Sequence, residues 1–250
     1  MNELHQQLSD LHVSCCEHKA VLPNLIDQSI IDQLLLNIFN AGGLLQSPEM
    51  KAAIFNDLWK GVKIGIGADF DTLDEDFIQA LRGNVSQFSD AKNYTMLREL
   101  NAALIKADGT LATFSEFQEA ARKITDIYLK NYLKAEYNLA VTGGQMAAKW
   151  KQIIANKDAL PLLQFDAIID TQTTEICRPL DGVTLPVDHP FWNRFYPPNH
   201  YGCRSTVRQL AQGTVTANDK IPSADIPDMF KTNLGANSLI FPTGHPYFIR

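Results

Sequence analysis

The sequence predicts an α+β protein: a mainly α-helical N-terminal part, then a small β-containing module, then an extended C-terminal tail. Three observations predict it. Apolar residues recur at three- and four-residue steps across most of residues 25–155, the period of an amphipathic helix. Two short runs, Leu162–Asp170 and Cys203–Leu210, suit strands and bracket a loop dense in Gly, Pro and aromatic residues. Beyond Gln212 the breakers Pro222, Pro227, Gly235, Pro242, Gly244 and Pro246 leave no room for long regular elements. The expected divisions are a flexible N-terminal arm over 1–24, a helical domain over 25–158, a small α+β module over 159–212 and an extended tail over 213–250.

Within the helical domain, Ile26, Ile30, Leu34 and Ile38 form a stripe that Gly42-Gly43 stops. Ser47-Pro48-Glu49 opens the next helix, with Ser as cap and Pro in the first turn. That helix buries Ile54, Leu58 and Trp59 and is expected to end in the glycines at 61, 65 and 67. Asp71, Asp74, Glu75 and Asp76 then crowd a helix start, where the macrodipole favours acids. With Asp69 these acids do not make a calcium loop, because the glycine and the spaced bidentate Glu are missing. Ser89 is expected to cap a further helix through Lys106, closed by Asp108-Gly109.

Thr113 and Glu116 form a capping box for the longest stripe: Phe117, Ala121, Ile124, Tyr128, Tyr132, Ala135 and Leu139. Gly143-Gly144 is expected to kink or break it before Gln145–Ala155 resumes, with Trp150 on the apolar face. A short helix fits around Asp228–Leu234. The apolar stretch Leu239–Arg250 suits docking onto the body, or continuation into further chain.

At 250 residues, with 45% apolar and 20% charged side chains, the composition is that of a folded globular chain. No apolar run approaches the ~18 residues of a membrane span, and MNELHQQLSD has no signal-peptide pattern. Four cysteines, two of them adjacent at Cys15-Cys16, do not form a secreted disulfide framework, so a reducing compartment is expected. His5, His12, Cys15, Cys16 and His18 fit no compact metal template. The net charge of −6 is uneven: residues 1–110 carry −7 and residues 111–250 carry +1. Seven basic against two acidic residues in 122–157 read as solvated helix faces, with weak phosphate contact as the alternative.

The richest chemistry lies between Asp170 and Val207, which holds two of the four cysteines and two of the six histidines. Leu180-Asp181-Gly182 signals a tight reversal, since Gly tolerates positive φ. Pro197-Pro198 is expected to hold polyproline geometry, and Phe191, Trp192, Phe195 and Tyr196 to seat the loop on a small sheet. Asp170 ends one expected strand and Arg204 begins the other, so a bidentate pair is one reading and two solvated strand ends the other.

Ala147…Trp150, Asp170-Thr171 with Cys177, Leu180-Asp181-Gly182, Pro190-Phe191-Trp192 and Tyr196-Pro197-Pro198-Asn199 with Cys203-Arg204 occur in this order and spacing. Together they resemble the Mu F-like minor head proteins, also called phage head morphogenesis proteins, over roughly Tyr132 to Gln209. Family members often end the motif Cys-Arg-Cys, where this chain has Cys203-Arg204-Ser205. Some carry His where this chain has Cys177.

The resemblance implies a structural minor head protein of a phage or prophage, acting in head morphogenesis at or near the portal. It implies the portal protein and other head proteins as partners, and a place in the virion after assembly in the bacterial cytoplasm. Independently, the acidic helical part favours a protein partner over nucleic acid, with Tyr128, Tyr132 and Tyr137 as candidate anchors and only weak DNA contact across Lys130–Lys157. No nucleotide loop, metalloprotease motif or nucleophile elbow is present, so no enzyme and no cofactor are expected. One alternative is a zinc-stabilised module with Cys177, His200 and Cys203 as ligands, His200-x-x-Cys203 having half-site spacing; Asp170 or His189 would have to complete it. The other is a thiol enzyme using Cys177 or Cys203 with His200 and Asp170.

Overall fold

A computed structural model of the chain describes residues 3–13 and 26–249, with side chains placed outside 11–13. The helical part comprises α1 (Glu3–Val13), α2 (Gln28–Ala41), α3 (Pro48–Ile66), α4 (Glu75–Ala102) and α5 (Phe114–Thr125). A π-helical turn at Asp126–Tyr132 carries α5 into α6 (Leu133–Ala155) without a break. A three-stranded antiparallel sheet follows: β1 (Leu162–Asp166), β2 (Thr184–Pro186) and β3 (Thr206–Leu210), in the order β2-β1-β3. One short helix, α7 (Phe191–Phe195), lies between β2 and β3. The fold is α+β, as the sequence predicts.

The helix starts at Ser47 and Thr113 were legible because capping is local. The Asp27 carboxylate accepts from Ser29 N–H, Ser47 Oγ from Met50 N–H and Asp74 from Phe77 N–H. Both halves of the Thr113–Glu116 capping box form. Helix ends were less legible. Helix α3 passes through Gly61 and Gly65 and stops only at Gly67, where φ is +70°. Helix α6 likewise passes through Gly143-Gly144 unbroken. The reason is packing: a Cβ on Gly65 would sit 2.0 Å from the Val141 carbonyl oxygen, and one on Gly144 would sit 2.6 Å from that of Val62. These glycines let the α3 and α6 backbones touch. Ser89 caps nothing. It lies buried inside α4 and its hydroxyl donates to the Val85 carbonyl at 2.8 Å, because one continuous stripe (Phe77, Leu81, Val85, Phe88, Leu97) runs through both halves.

The expected flexible arm is a docked helix over its described part. In α1, Leu8 is fully buried and His5 reaches Glu99 at 2.8 Å and the Tyr132 hydroxyl at 3.2 Å. Cys15, Cys16, His18 and the His12 side chain lie outside the described residues. At the other end the tail docks. The Phe241 ring stacks on Phe88 with centroids 3.7 Å apart, and Asn84 exchanges hydrogen bonds with the Ile240 and Phe241 backbone. The helix expected near Asp228–Leu234 is a single 3-10 turn at Asp228–Phe230.

Deep in the helical part, Lys92 on α4 and Glu136 on α6 are fully buried and 3.0 Å apart. Lys92 also donates to the Tyr247 hydroxyl at 3.2 Å, and that hydroxyl hydrogen-bonds Glu136. The Tyr128, Tyr132 and Tyr247 rings surround the ammonium at 5.1–5.9 Å. Burial pushes the Lys92 ammonium down and the Glu136 carboxyl up, and each partner opposes the other's shift. Tyr128, Tyr132 and Tyr137 are therefore core residues rather than docking anchors. Their stripe faces this cluster and the α3–α6 contact.

The small sheet rests on the same core. Leu163, Phe165, Leu185 and Val207 are fully buried on its inner face. Tyr196 donates to the Met146 carbonyl at 2.9 Å, Lys149 to Thr206 Oγ1 at 2.8 Å, and Gln209 to the Ile153 and Leu160 carbonyls. No gap separates module and helices at the expected boundary near residue 158.

Lys92→Met leaves Glu136 buried without its cation and is expected to destabilise the fold by about 3–5 kcal/mol in a chemical melt. Lys92→Met with Glu136→Leu should recover most of that loss. A second prediction concerns Asp57 on α3, whose carboxyl burial raises to about 6 against the attraction of Lys60. Its folded-state value lies above the unfolded one of 3.8, so the proton it holds stabilises the fold most at low pH, and that contribution disappears as pH rises through about 6. Asp57→Asn should flatten the decline in melting temperature between those two values.

Candidate functional site

The site is built by residues 167–205, which leave β1, form β2 and α7, and return as β3. Strand β1 ends at Asp166, short of the expected Asp170, because the Asp181 carboxylate captures Ala167 N–H at 2.9 Å and draws the chain off the ladder. Ile168 and Ile169 consequently face solvent. A turn follows in which Cys177 and Arg178 N–H both donate to the Thr174 carbonyl, and a short 3-10 turn (Arg178–Leu180) drops Leu180 into the core. Gly182, at φ +77°, reverses the chain and donates to the Phe165 carbonyl at 2.9 Å. The expected Asp-Gly reversal is therefore present, and it launches the unanticipated β2.

The aromatic loop packs as expected. Phe191 and Trp192 are buried, and Trp192 Nε1 donates to the Pro186 carbonyl at 2.9 Å. The Pro197-Pro198 bond is cis, so the step turns the chain instead of extending it in polyproline geometry. Next comes the turn His200-Tyr201-Gly202-Cys203, closed by Cys203 N–H donating to the His200 carbonyl at 3.2 Å and carried by Gly202 at φ +69°.

These two turns bring Cys177, His200 and Cys203 together, all buried, with their ligating atoms within 4.8 Å of one another. The Cys177 and Cys203 sulfurs are 3.7 Å apart, and Cys177 Sγ lies 3.4 Å from His200 Nε2. His200 Nδ1 is 2.7 Å from the Tyr201 carbonyl, which can only accept; the proton therefore sits on Nδ1. Thr174 Oγ1 is 3.1 Å from Nε2. His189 lies elsewhere, its Nδ1 accepting from Phe191 N–H at 3.2 Å.

Electrostatically the two thiols diverge. Hydrogen bonds from Cys177 and His200 pull Cys203 well below its ordinary value, against its burial. The hydrogen bond to Cys203 and burial together push Cys177 up, with Ser205 and Thr174 opposing. For His200, burial lowers the value, yet the Cys203 sulfur outweighs it and the net shift is upward. The cavity beside the cluster is about 10 Å³, lined by Ile168, Thr174, Cys177, His200, Arg204 and Ser205 among others. That is the volume of one water or one ion.

Asp170 and Arg204 form the bidentate pair, at 2.8 and 2.6 Å, with side chains 39% and 19% exposed. Arg204 lies at the rim of the cluster's cavity. Asp170 serves the ion pair and does not reach the sulfurs as a ligand. Its carboxylate also accepts from Gln172 N–H, and its carbonyl accepts from Arg178. Sequence reasoning missed Thr174, Ser205 and the Tyr201 carbonyl. Thr174 precedes Cys177 by one turn and Ser205 follows Cys203 by two residues, but neither residue type signals a site unless the fold places it.

Residues 98–208 match the family described as Phage Mu protein F like protein. The match opens in α4 and closes in β3, taking in α5, α6 and the whole cluster. The chain is 35% identical over 80 residues to the Mu-like prophage FluMu F protein of Haemophilus influenzae, 32% of this chain and 19% of that one. It is 31% identical over 75 residues to the putative capsid assembly protein F of Escherichia phage Mu, 30% of this chain and 17% of that one. The chain thus spans less than a fifth of the length of these curated relatives. No solved structure matches.

Arg204→Ala should destabilise the module more than Arg194→Ala or Arg208→Ala, whose exposed contacts are worth under about 1 kcal/mol. The Arg204 hydrogen bonds hold the Asp170 carboxyl well below its ordinary 3.8. A depressed value means stability present above the unfolded value and lost as pH falls below it. The gap between wild type and Arg204→Ala in urea melts should therefore hold at neutral pH and narrow below about pH 4. Equal small effects from all three variants would dispose of the pair's structural role.

Proposed function

We propose, from the premise that this chain is Mu F-like across residues 98–208, that it is a structural minor head protein of a phage or prophage, acting in head morphogenesis at or near the portal. The observation that carries this reading is the family match from α4 to β3, beside 31% identity over 75 residues to a curated relative named for capsid assembly. Its partners are the portal protein and other head proteins, and its place is the phage head, assembled in the bacterial cytoplasm. Among the described residues no helix is long and apolar enough to cross a membrane.

The role is architectural rather than catalytic. The Cys/His cluster opens on a cavity that admits an ion or a water but no peptide or nucleotide, which supports that reading. Nucleic acid is a secondary contact at most. Of the cations in 122–157, Lys123 pairs with Glu119, Lys130 with Asp126, and Lys157 with Asp188 at 2.5 Å, while Lys149 is turned to Thr206. Pairing of three of these seven cations reduces the positive charge free to displace counterions from DNA.

The test is co-expression of the full chain with the portal subunit encoded in the same phage or prophage genome, followed by size-exclusion chromatography. Co-elution that survives moderate salt is expected. Truncating residues 1–110 is no substitute, because α2, α3 and α4 build the core on which α6 rests. A full chain that ignores the portal yet binds duplex DNA tightly at physiological salt would overturn both the partner and the role.

A further inference from the structure

We infer that Cys177, Cys203 and His200 form a structural metal site for a soft divalent cation, zinc being the best match, with the fourth position turned to the small cavity beside Thr174 and Ser205. This inference stands apart from the head-protein reading and does not depend on it.

The donor geometry carries it. For a tetrahedral zinc with Zn–S near 2.3 Å and Zn–N near 2.0–2.1 Å, trigonometry gives about 3.8 Å between sulfurs and about 3.5 Å from sulfur to nitrogen. The observed separations are 3.7 Å and 3.4 Å, with the remaining pair inside 4.8 Å. Two packed thiols alone could sit at such a distance. What packing does not require is a third soft donor on the same face, with its lone pair aimed inward. The Tyr201 carbonyl supplies that aim: by accepting from Nδ1–H, with N···O 2.7 Å, it favours the tautomer whose Nε2 lone pair faces Cys177 Sγ at 3.4 Å.

Charge and burial agree. Two thiolates and a neutral imidazole carry −2, which a divalent ion cancels, so the loaded site is neutral where it is buried. Loading releases the thiol protons to solvent and forms no bond between the sulfurs. Sulfur and imidazole donors select zinc over magnesium or calcium, which take oxygen. The fourth vertex has room for one water, with the Thr174 hydroxyl 3.1 Å from Nε2 and Ser205 reaching Cys177.

The location explains the use. Between Asp166 and Thr206 the regular structure is limited to the 3-10 turn at Arg178–Leu180, the three residues of β2 and the five of α7. The proposed ion ties the first turn of this excursion to its last, beside the Asp170–Arg204 pair that joins the same two ends.

The experiment uses the full chain, expressed in bacteria with zinc in the medium and purified without chelator. Elemental analysis is expected to find about one zinc per chain, and a chelator is expected to lower the melting temperature. Exchange for cobalt(II) should give thiolate charge-transfer bands and the intense visible bands of tetrahedral cobalt. Cys203→Ser and His200→Gln should each cut zinc content at least tenfold. If either variant fails to fold, the cobalt spectrum and chelator response of the wild-type chain decide alone. Wild-type protein without zinc that ignores both chelator and added cobalt would overturn the site. So would a Cys177–Cys203 disulfide found by mass spectrometry in protein purified under reducing conditions.

Discussion

The buried Lys92–Glu136 pair is the constraint on which the arrangement of the chain depends. A charge taken out of water is tolerated only where every neighbour is in place, and here those neighbours come from distant parts of the sequence. Lys92 stands on α4, Glu136 on α6, Tyr128 and Tyr132 on the π-helical turn, and Tyr247 three residues from the chain's end. The cluster reaches one shell further, since Tyr128 donates to Glu99 at 3.0 Å and Glu99 holds His5 of α1. Three helical segments and both ends of the described chain are thus referred to one ammonium group. The π-helical turn at Asp126–Tyr132 carries both Tyr128 and Tyr132, which lie four residues apart and so share the face toward the cation.

A second contact sets how closely the helices approach. Glycine at 65 and 144 removes the side chains that would hold α3 and α6 apart, and the backbones meet. With α6 held there, its far end presents Met146, Lys149, Trp150 and Ile153 to the module. Each of these touches the loop or the sheet: Met146 takes the Tyr196 hydroxyl, Trp150 meets the Tyr196 ring edge-on, and Ile153 takes Gln209. The sheet is too small to stand alone, with strands of five, three and five residues, so this platform is what orders it.

On that platform two turns meet at the sulfurs. The Thr174–Leu180 turn is anchored inward by Leu180 and the His200–Cys203 turn by Tyr201, whose hydroxyl contacts His245 of the docked tail at 2.9 Å. The tail therefore bears on both the buried ion pair and the Cys/His cluster. This accounts for its apolar character, which a free end would not require.

The sequence by itself determined what is local in origin. The helix starts at Ser47 and Thr113 were legible because a cap and its partner lie three residues apart. The α+β class followed from periodicity, and the Gly182 reversal from a residue free to take positive φ. The half-site spacing of His200 and Cys203, with Cys177 as a third candidate, was also readable, as was the Asp170–Arg204 pair. Only the tertiary structure decided what the glycines at 65 and 144 are for, because a close approach has its cause on another helix. The same holds for Lys92, whose sequence neighbourhood reads as an ordinary charged helix position. Burial of a charge is a property of partners 44 and 155 residues away, and no local pattern carries it.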